Sequence, residues 1–288
     1  MEAWIADIEF ERLSAVVRAT KKIFINPLAN YIPADWVKTW LRRGRSELAL
    51  SNWRDPGGWR SMVISYDGNP QKTWDRILVG GGTIPMALRN RKRLAARLIA
   101  RLIEQVDHDS GHVLCLGAGP GHIITDAMTQ TTKHCHATLV DLSSDAFDYG
   151  RELARKKGLI DRVRFIQGDV RDVKGMLEDR VDLVKMIGIC EYLEDDQVAS
   201  IAHALRNVMP PGASIVFNSI SKRHGTDRFF RRVFGLHMIH RSPRRLQELI
   251  SPAGFNDFAV FPEPLGVYKV VVGKMTAPAN HCPKGIRK

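Results

Sequence analysis

From residue 112 onwards, short apolar runs alternate with segments whose apolar residues recur at helical spacing. This alternation is typical of a parallel sheet covered by helices on both faces. It predicts strands near 112–116, 137–141, 162–167, 181–187 and 213–219, and a closing pair at 256–261 and 267–272 that is near enough for a hairpin. It predicts helices near 122–131, 144–158, 170–179, 195–208 and 243–252.

The first 105 residues have a different pattern, with helical spacing and no alternation. Apolar residues recur at helical spacing from Trp4 to Val17, and a second helix is predicted from Pro33 to Gly44. The Gly-, Pro-, Asn- and Trp-rich segment 51–82 is predicted to be a structured loop. We therefore divide the chain into an N-terminal helical extension or cap (1–105), a core (106–275) and a C-terminal tail (276–288).

A long helix is predicted from Pro85 to about Val106, and one of its faces is strongly basic. That face carries Arg89, Arg91, Lys92, Arg93, Arg97 and Arg101. A solvated helix face is the ordinary explanation for such charges, and an anion-binding face is the alternative.

Composition describes an ordinary globular chain of 288 residues, 44% hydrophobic and 26% charged, with a net charge of +12. This charge favours an anionic partner such as nucleic acid, acidic lipid or a small anion, although surplus charge kept for solubility explains it equally well. Neither a signal peptide nor an apolar run of membrane-spanning length is visible, so a cytoplasmic location is expected.

The four cysteines, Cys115, Cys135, Cys190 and Cys282, are far apart and form no Cys-x-x-Cys pair. They are expected to be reduced thiols, two of them inside strands. The run His134-Cys135-His136 is an unsuitable metal site because neighbouring side chains of a strand point to opposite faces. No metal is predicted.

The candidate chemistry lies in the first predicted strand, which ends in Gly117-Ala118-Gly119-Pro120-Gly121. Glycine tolerates positive φ and lets a ligand approach the backbone closely. Asp141 ends the second strand and Asp169 follows the third, so both carboxylates are expected beside the glycine turn. A nucleoside lying across the three strand ends fits this spacing. NAD fits poorly, because His122 stands where a dinucleotide-binding turn has its third glycine.

With these motifs, the stretch from Val113 to Lys274 resembles the class I S-adenosylmethionine (SAM)-dependent methyltransferases. The resemblance implies a Rossmann-like sheet of seven strands, the last one antiparallel, and SAM as cofactor. Smaller patterns, such as Gly188…Glu191 and Gly158-Leu159, resemble bacterial methyltransferases that are often fused to α/β-hydrolases.

The resemblance also implies a set of cofactor contacts. The glycine turn would pack on the methionine part of SAM, Asp141 would accept the ribose hydroxyls, and Asp169 would meet the adenine edge. The full implied set is Gly117, Ala118, Gly119, Gly121, Asp141, Leu142, Asp169, Val170, Ile187 and Gly188. The chain departs from the family at Cys115, where an acidic residue is common, so backbone carbonyls are expected to hold the SAM ammonium.

Two segments bear on the acceptor. The tip after the fourth strand, from Gly188 to Asp196, lacks the Asn-Pro-Pro-Tyr type of sequence used on nucleic-acid amino groups, which disfavours base methylation. Residues 221–245, the basic insertion, hold eight Lys or Arg against one acid, interleaved with aromatic and aliphatic residues. Family insertions here roof the acceptor pocket. This one suits an anionic acceptor, an acidic membrane surface or RNA, or it packs its apolar side on the N-terminal extension.

Methyl transfer is an in-line displacement in which the protein mainly aligns the reactants. A general base is needed only for a hydroxyl or ammonium nucleophile, and the candidates are His237, His240, Glu191 and Tyr192. The sequence thus predicts a SAM-dependent methyltransferase acting on a small or amphiphilic, anionic acceptor. The alternatives are transfer of the aminocarboxypropyl group of SAM, or an RNA- or membrane-docking module with a vestigial cofactor pocket.

Overall fold

A computed structural model describes residues 3–176 and 180–276 of the chain. Its centre is a sheet of seven strands in the order β3-β2-β1-β4-β5-β7-β6. The strands are β1 Ser110–Leu116, β2 His134–Asp141, β3 Val163–Gln167, β4 Leu183–Met186, β5 Ser214–Ile220, β6 Phe255–Pro262 and β7 Tyr268–Met275. All seven predicted strands are confirmed, with shifts of a few residues at their ends.

Strand direction places the candidate chemistry at one edge of the sheet. Strand β1 pairs in parallel with β2 on one side and with β4 on the other. Strand β7 is antiparallel to both β5 and β6, which confirms the predicted closing hairpin. Strands β2 and β3 are added on one side of β1, and β4 and β5 on the other, so the strand order reverses between β1 and β4. Ligands of such sheets bind outside the carboxyl ends of the strands at this point.

Helices cover both faces of the sheet, as the alternating pattern predicts. One apolar cluster packs the long helix α8 (Thr83–Glu104) and helix α9 (His122–Met128) against β1 and β2, and a second packs α11 (Asp195–Leu205) and α13 (Pro243–Ile250) on the opposite face. The core helices are α9 His122–Met128, α10 Ser144–Lys156, α11 Asp195–Leu205, α12 Asp227–Phe229 and α13 Pro243–Ile250, and a short 3-10 turn spans Val170–Gly175.

The N-terminal part is helical over a greater length than expected. Its helices are α1 Ala3–Ala6, α2 Ala15–Thr20, α3 Asn26–Tyr31, α4 Ala34–Arg43, α5 Glu47–Arg54, α6 Trp59–Asp67, α7 Thr73–Asp75 and α8 Thr83–Glu104, with π-helical turns at Lys21–Ile25 and Arg76–Gly80. The prediction of a loop over 51–82 is therefore wrong. Glycines of this segment sit at helix ends, with Gly58 preceding α6 and Gly68 closing it at φ 73°.

The N-terminal helices and the basic insertion share a third apolar cluster. Leu41 and Leu88 from the N-terminal part pack with Phe234, Leu236 and Met238 from the insertion. The insertion therefore does pack apolar side chains on the N-terminal helices, which was one of the open alternatives.

The basic face of α8 is only partly solvated. Arg93 is exposed, but Arg89 is 7% and Arg91 2% exposed. Arg89 forms a 2.6 Å ion pair with Glu11 and donates to the carbonyls of Ser65 and Val79. A solvated face is thus the wrong explanation for these two arginines.

Cys115, Cys135 and Cys190 are buried free thiols, and Cys282 lies outside the described residues. Within residues 3–176 and 180–276, no helix is long and apolar enough to cross a membrane. The division of the chain at residues 105 and 275 and the cytoplasmic location stay predictions.

Candidate active site

The glycine turn between β1 and α9 has the backbone form that requires glycine. Gly117, Gly119 and Gly121 have φ of 60°, 52° and 86°. A Cβ on Gly117 would lie 1.8 Å from Ile189 Cγ2, and one on Gly121 would lie 2.5 Å from Leu139 Cδ2. Side chains are excluded at these two positions by packing as well as by φ, so the turn lies close against its neighbours.

Asp141, at the end of β2, is fixed beside this turn. One carboxylate oxygen accepts a 2.7 Å hydrogen bond from the Gly119 N–H, and the other accepts a 3.0 Å bond from the Ser143 N–H. An ionised carboxylate has further lone pairs, so it can still accept two hydroxyls from a ligand.

Asp169 follows β3 and is held by Arg171. Its carboxylate accepts a 2.9 Å hydrogen bond from the Arg171 N–H and is ion-paired with the Arg171 guanidinium. This contact with Arg171 holds the pKa of Asp169 below its ordinary value. The carboxylate is therefore ionised and faces the same edge of the sheet as Asp141.

A single cavity of about 730 Å³ runs along this edge. It is lined by every residue of the implied cofactor set, namely Gly117, Ala118, Gly119, Gly121, Asp141, Leu142, Asp169, Val170, Ile187 and Gly188. The topology thus brings together residues that lie up to 71 positions apart in the sequence.

The floor of the cavity carries an unusual charge. Lys185 of β4 pairs across the sheet with Cys115 of β1, and it is 3% exposed. Its ammonium donates a 3.3 Å hydrogen bond to the Gly117 carbonyl. No carboxylate oxygen of the described residues lies within 4.0 Å of it. Burial lowers the pKa of Lys185 and raises that of the Cys115 thiol to about 12. Where the family commonly has an acid, this chain has a thiol beside a buried amine.

The cavity is also lined by apolar and aromatic side chains. These are Trp59, Met62, Tyr66, Ile84, Leu88, Tyr192, Leu236, Met238 and Tyr268. Leu236 and Met238 belong to the basic insertion, the residues from Trp59 to Leu88 belong to helices α6 and α8, and Tyr268 belongs to β7. Most of this lining, called the acceptor half below, therefore comes from segments outside the sheet.

One guanidinium is buried in this apolar wall. Arg91 lies over the Tyr268 ring at 4.5 Å and donates long hydrogen bonds to Glu191 Oε1 (3.3 Å), Asn218 Oδ1 (3.4 Å) and the Tyr66 hydroxyl (3.3 Å). Its Nε has no hydrogen-bond partner among the described residues. Burial opposes the charge, yet the surrounding Tyr66, Tyr268 and Glu191 raise the pKa of Arg91. The guanidinium is therefore charged and incompletely satisfied.

The four predicted catalytic candidates divide into two pairs. Glu191 and Tyr192 line the cavity, and Glu191 is 4% exposed. His237 is exposed and His240 packs against His224, with the two Nε2 atoms 3.5 Å apart. His237 and His240 are not among the residues that line the cavity, whereas Leu236 and Met238 are. A catalytic role for any of the four residues stays a prediction.

Several lining residues were not among the predicted site residues. Asp55, Trp59 and Tyr66 come from the segment predicted to be a loop, and Arg91 from the face predicted to be solvated. Lys185 did carry a signal, because a lysine inside a strand that is apolar on both faces calls for a function. Burial and the nearby carboxylate of Asp141 raise the pKa of Asp55.

The part of the cavity around the glycine turn, Asp141 and Asp169, called the donor half below, fits a nucleoside with an amino-acid tail. The glycine backbone suits the tail. The carboxylate at the end of β2 suits the ribose, and the one after β3 suits the base. The N–H groups of Gly119 and Gly121 at the start of α9 already donate to Asp141 and to the Ala118 carbonyl, so they are not free to bind a pyrophosphate. The residues present fit SAM.

Comparison with known proteins agrees with this geometry. Residues 113–212 match the family model described as a methyltransferase domain. The tRNA 5-carboxymethoxyuridine methyltransferase of Escherichia coli is 29% identical over 112 residues, which cover 39% of this chain and 41% of that protein. The chain thus spans about two-fifths of the length of this curated relative.

Solved structures share the fold at low identity. Magnesium protoporphyrin IX methyltransferase from Synechocystis, with bound S-adenosylhomocysteine (SAH), has a TM-score of 0.57 at 11% identity, covering 83% of this chain and 99% of its own. An O-methyltransferase family protein from Burkholderia thailandensis has a TM-score of 0.54 at 15% identity, covering 93% of this chain and 78% of its own.

Sheet order, glycine turn and matched segment together indicate a Rossmann-like methyltransferase domain. Residues 113–212 carry the match to the class I SAM-dependent methyltransferases, and SAM is the cofactor of this domain.

Proposed function

We propose that the chain transfers the methyl group of SAM to a small, amphiphilic acceptor that carries an anionic group. The observation that carries this proposal is Arg91, a charged guanidinium that is buried among apolar and aromatic side chains, has only long contacts to Glu191, Asn218 and Tyr66, and has no hydrogen-bond partner for its Nε among the described residues. Buried charges are stable only when paired, and a guanidinium binds carboxylate or phosphate through two parallel hydrogen bonds. The apolar residues around it would bury the hydrophobic part of the same molecule.

Each predicted cofactor-binding residue has a role in this proposal. The glycine turn with Ala118, Ile187 and Gly188 holds the methionine end of SAM, Asp141 the ribose, and Leu142, Asp169 and Val170 the adenine. When bound, SAM supplies a sulfonium methyl group and a good leaving group. The protein residues align the acceptor in line with that group and exclude water from it.

An anionic acceptor would need no general base. A carboxylate oxygen is already deprotonated at neutral pH, so it can attack the methyl group directly. Glu191 is held by the Arg91 and Asn218 side chains, at 3.3 and 3.4 Å. We therefore assign Glu191 to positioning Arg91, and Tyr192 to lining the acceptor wall.

A tRNA acceptor is the second candidate. It is favoured by the Escherichia coli relative, whose name specifies a carboxymethoxy-bearing tRNA nucleoside, and by the basic insertion. The chain spans only part of that relative. Its cavity wall mixes aliphatic with aromatic side chains, of which the aliphatic ones suit the hydrophobic part of an amphiphile.

Labelled SAM tests the proposal directly. The protein is incubated with methyl-labelled SAM and either a bacterial lipid and small-molecule extract or total tRNA. We expect label in the first fraction, with SAH as the released product. Label in tRNA alone would move the assignment to the second candidate. Release of 5′-methylthioadenosine would indicate aminocarboxypropyl transfer. SAH binding without transfer to either fraction would favour a docking module with a vestigial pocket.

Arg91 is tested with a charge-balanced variant. Removing Arg91 alone would leave Glu191 buried without its partner, so the useful change is Arg91→Met with Glu191→Gln. We expect the KM for the anionic acceptor to rise about ten- to a hundredfold, while SAH affinity is unchanged. An unchanged KM in a folded double variant would refute the anion site.

A further inference from the structure

A set of large apolar side chains is exposed on the first helices, outside the sheet. Helices α2 and α3 are joined by the π-helical turn into one continuous helical segment, Ala15–Tyr31. Five of its large apolar residues are 60–75% exposed, namely Val16, Ile23, Phe24, Leu28 and Tyr31. Trp36 of the next helix is 61% exposed. A contiguous apolar surface of this kind marks an interaction site in a soluble chain.

Two amide side chains in the second half of the segment hold it to the protein. Asn26 donates to the His224 carbonyl at 3.3 Å. Asn30 donates to the Gly225 carbonyl at 2.8 Å, and its side-chain oxygen accepts from the Phe229 N–H at 3.0 Å. A helix that packs on its own domain normally turns its apolar face inward. This one is fixed through amide side chains with its apolar stripe in water, which is the orientation needed to meet an external apolar phase.

Positive charge surrounds the stripe. Residues 12–45 contain eight Lys or Arg and one Asp, and the basic insertion that holds the segment has the same balance. Arg18 and Lys22 are exposed on the segment itself. The Arg228 guanidinium of the insertion lies 4.9 Å from the centre of the exposed Tyr31 ring. Apolar, aromatic and cationic side chains therefore occupy one surface.

We infer that the segment Ala15–Tyr31 docks the protein onto an anionic membrane surface. Lipid headgroups meet the arginine and lysine side chains, while the apolar stripe enters the boundary between headgroups and acyl chains. A second copy of the chain suits this surface less well, because a two-fold interface would bring like charges of the two copies together. RNA would leave the aliphatic residues Val16, Ile23 and Leu28 without a partner.

The docking surface is physically connected to the cavity. The insertion that binds Asn26 and Asn30 continues to Leu236 and Met238, which line the acceptor wall. Docking would thus bring the acceptor half of the cavity near the lipid phase. The docking inference itself does not rest on the proposed acceptor, because lipid binding and methyl transfer are measured separately.

Vesicle co-sedimentation of the full chain tests the inference. The vesicles are phosphatidylcholine alone, or phosphatidylcholine with phosphatidylglycerol. We expect binding to the anionic vesicles that weakens as salt is added, and little binding to the neutral ones. Absence of binding to anionic vesicles, or equal binding to both kinds, would overturn the inference.

Two groups of substitutions locate the surface. The first is Ile23→Gln, Phe24→Gln and Leu28→Gln together, and the second is Arg18→Gln with Lys22→Gln. Because these side chains are exposed and glutamine favours helices, both variants should fold, which thermal melting checks. Each basic residue contributes about 1 kcal/mol to binding at an anionic membrane surface, and about 1.4 kcal/mol corresponds to a tenfold change. The partition coefficient of the charge variant should therefore fall about thirtyfold. The apolar variant should lose its binding to anionic vesicles.

Matched controls use exposed residues elsewhere. Arg155→Gln with Lys156→Gln removes one arginine and one lysine from α10, and Val260→Gln replaces an apolar residue on β6. Both controls should bind as wild type. If the charge control lost as much vesicle binding as the charge variant, binding would depend on net charge alone, and the assigned surface would be refuted. If light scattering shows that wild type is a dimer and the apolar variant a monomer, the surface is a contact between copies and the inference fails.

Discussion

Lys185 gives the sharpest test of how the cavity handles its cofactor. Its buried ammonium has one hydrogen bond, to the Gly117 carbonyl, and no carboxylate partner among the described residues. The methionine tail of SAM and SAH carries a carboxylate, which we expect to reach this amine. Replacing Lys185 with Met removes the charge and keeps most of the side-chain volume.

The magnitude follows from the burial of Lys185. A hydrogen bond to a charged group contributes about 1.5–3 kcal/mol, and Lys185 is only 3% exposed, so solvent screens little of it. Lys185→Met should therefore weaken SAH binding about ten- to a hundredfold. It should leave unchanged the binding of 5′-methylthioadenosine, which has the nucleoside but no amino-acid tail.

Titration calorimetry of both ligands makes the comparison, with Lys92→Met as the matched lysine control. Lys92 pairs with Asp126 at 3.2 Å and does not line the cavity. Burial lowers the pKa of Lys185, and so does Arg91, whereas Cys115, Asp141 and Glu191 raise it. A bound carboxylate would raise this pKa, so SAH binding should take up protons at alkaline pH in wild type only.

Three outcomes would refute this reasoning. Equal losses for SAH and 5′-methylthioadenosine would mean that the substitution disturbs the whole cavity. An unchanged SAH affinity would place the carboxylate elsewhere. A tighter SAH complex would mean that Lys185 repels the SAH ammonium more than it attracts the carboxylate.

Three further changes test the site and the fold. Asp141→Ala should abolish measurable SAH binding in calorimetry while the circular dichroism spectrum stays native; unchanged affinity would refute the placement of the ribose. Arg89→Met should lower the free energy of unfolding in urea by about 3 kcal/mol because Glu11 keeps only its longer contact with exposed Arg93, whereas Arg93→Met leaves the buried pair intact and should cost under about 1 kcal/mol. Burial lowers the pKa of His122 to about 4, below its unfolded value of about 6.5. Between these two values the unfolded chain binds more protons than the folded chain. Stability therefore falls as the pH drops through this window. His122→Gln should remove about 2 kcal/mol of the stability difference between about pH 7 and pH 5, and an equally steep profile in the variant would contradict this assignment.

The sheet and the donor half of the cavity were predictable because each depends on local sequence. Strands buried on both faces need continuous apolar runs, and these are short and well separated from 112 onwards. The glycine turn and Asp141 follow directly from the strands that carry them. Once strand order is known, the position of such residues at the sheet edge is determined.

The acceptor half was not predictable in the same way. Helix α6 lies among glycines and prolines, whose effect as helix caps cannot be separated from loop formation by composition. The burial of Arg91 depends on Tyr66 and Tyr268, which are distant in the sequence and reach it only in the folded chain. A basic helix face looks alike whether it meets water or a cavity.

The cavity is assembled from two parts of the chain that are fixed in different ways. The donor half is fixed by backbone conformation and by strand ends, where Gly117 and Gly121 tolerate no side chain. The acceptor half consists of side chains, most of them on α6, α8 and the insertion. Apart from Trp59, which lies against Gly119, we expect substitutions there to alter the shape and charge of the wall without moving the glycine turn. Such a division would let selection, or directed evolution, exchange one acceptor for another while the capacity to use SAM is kept.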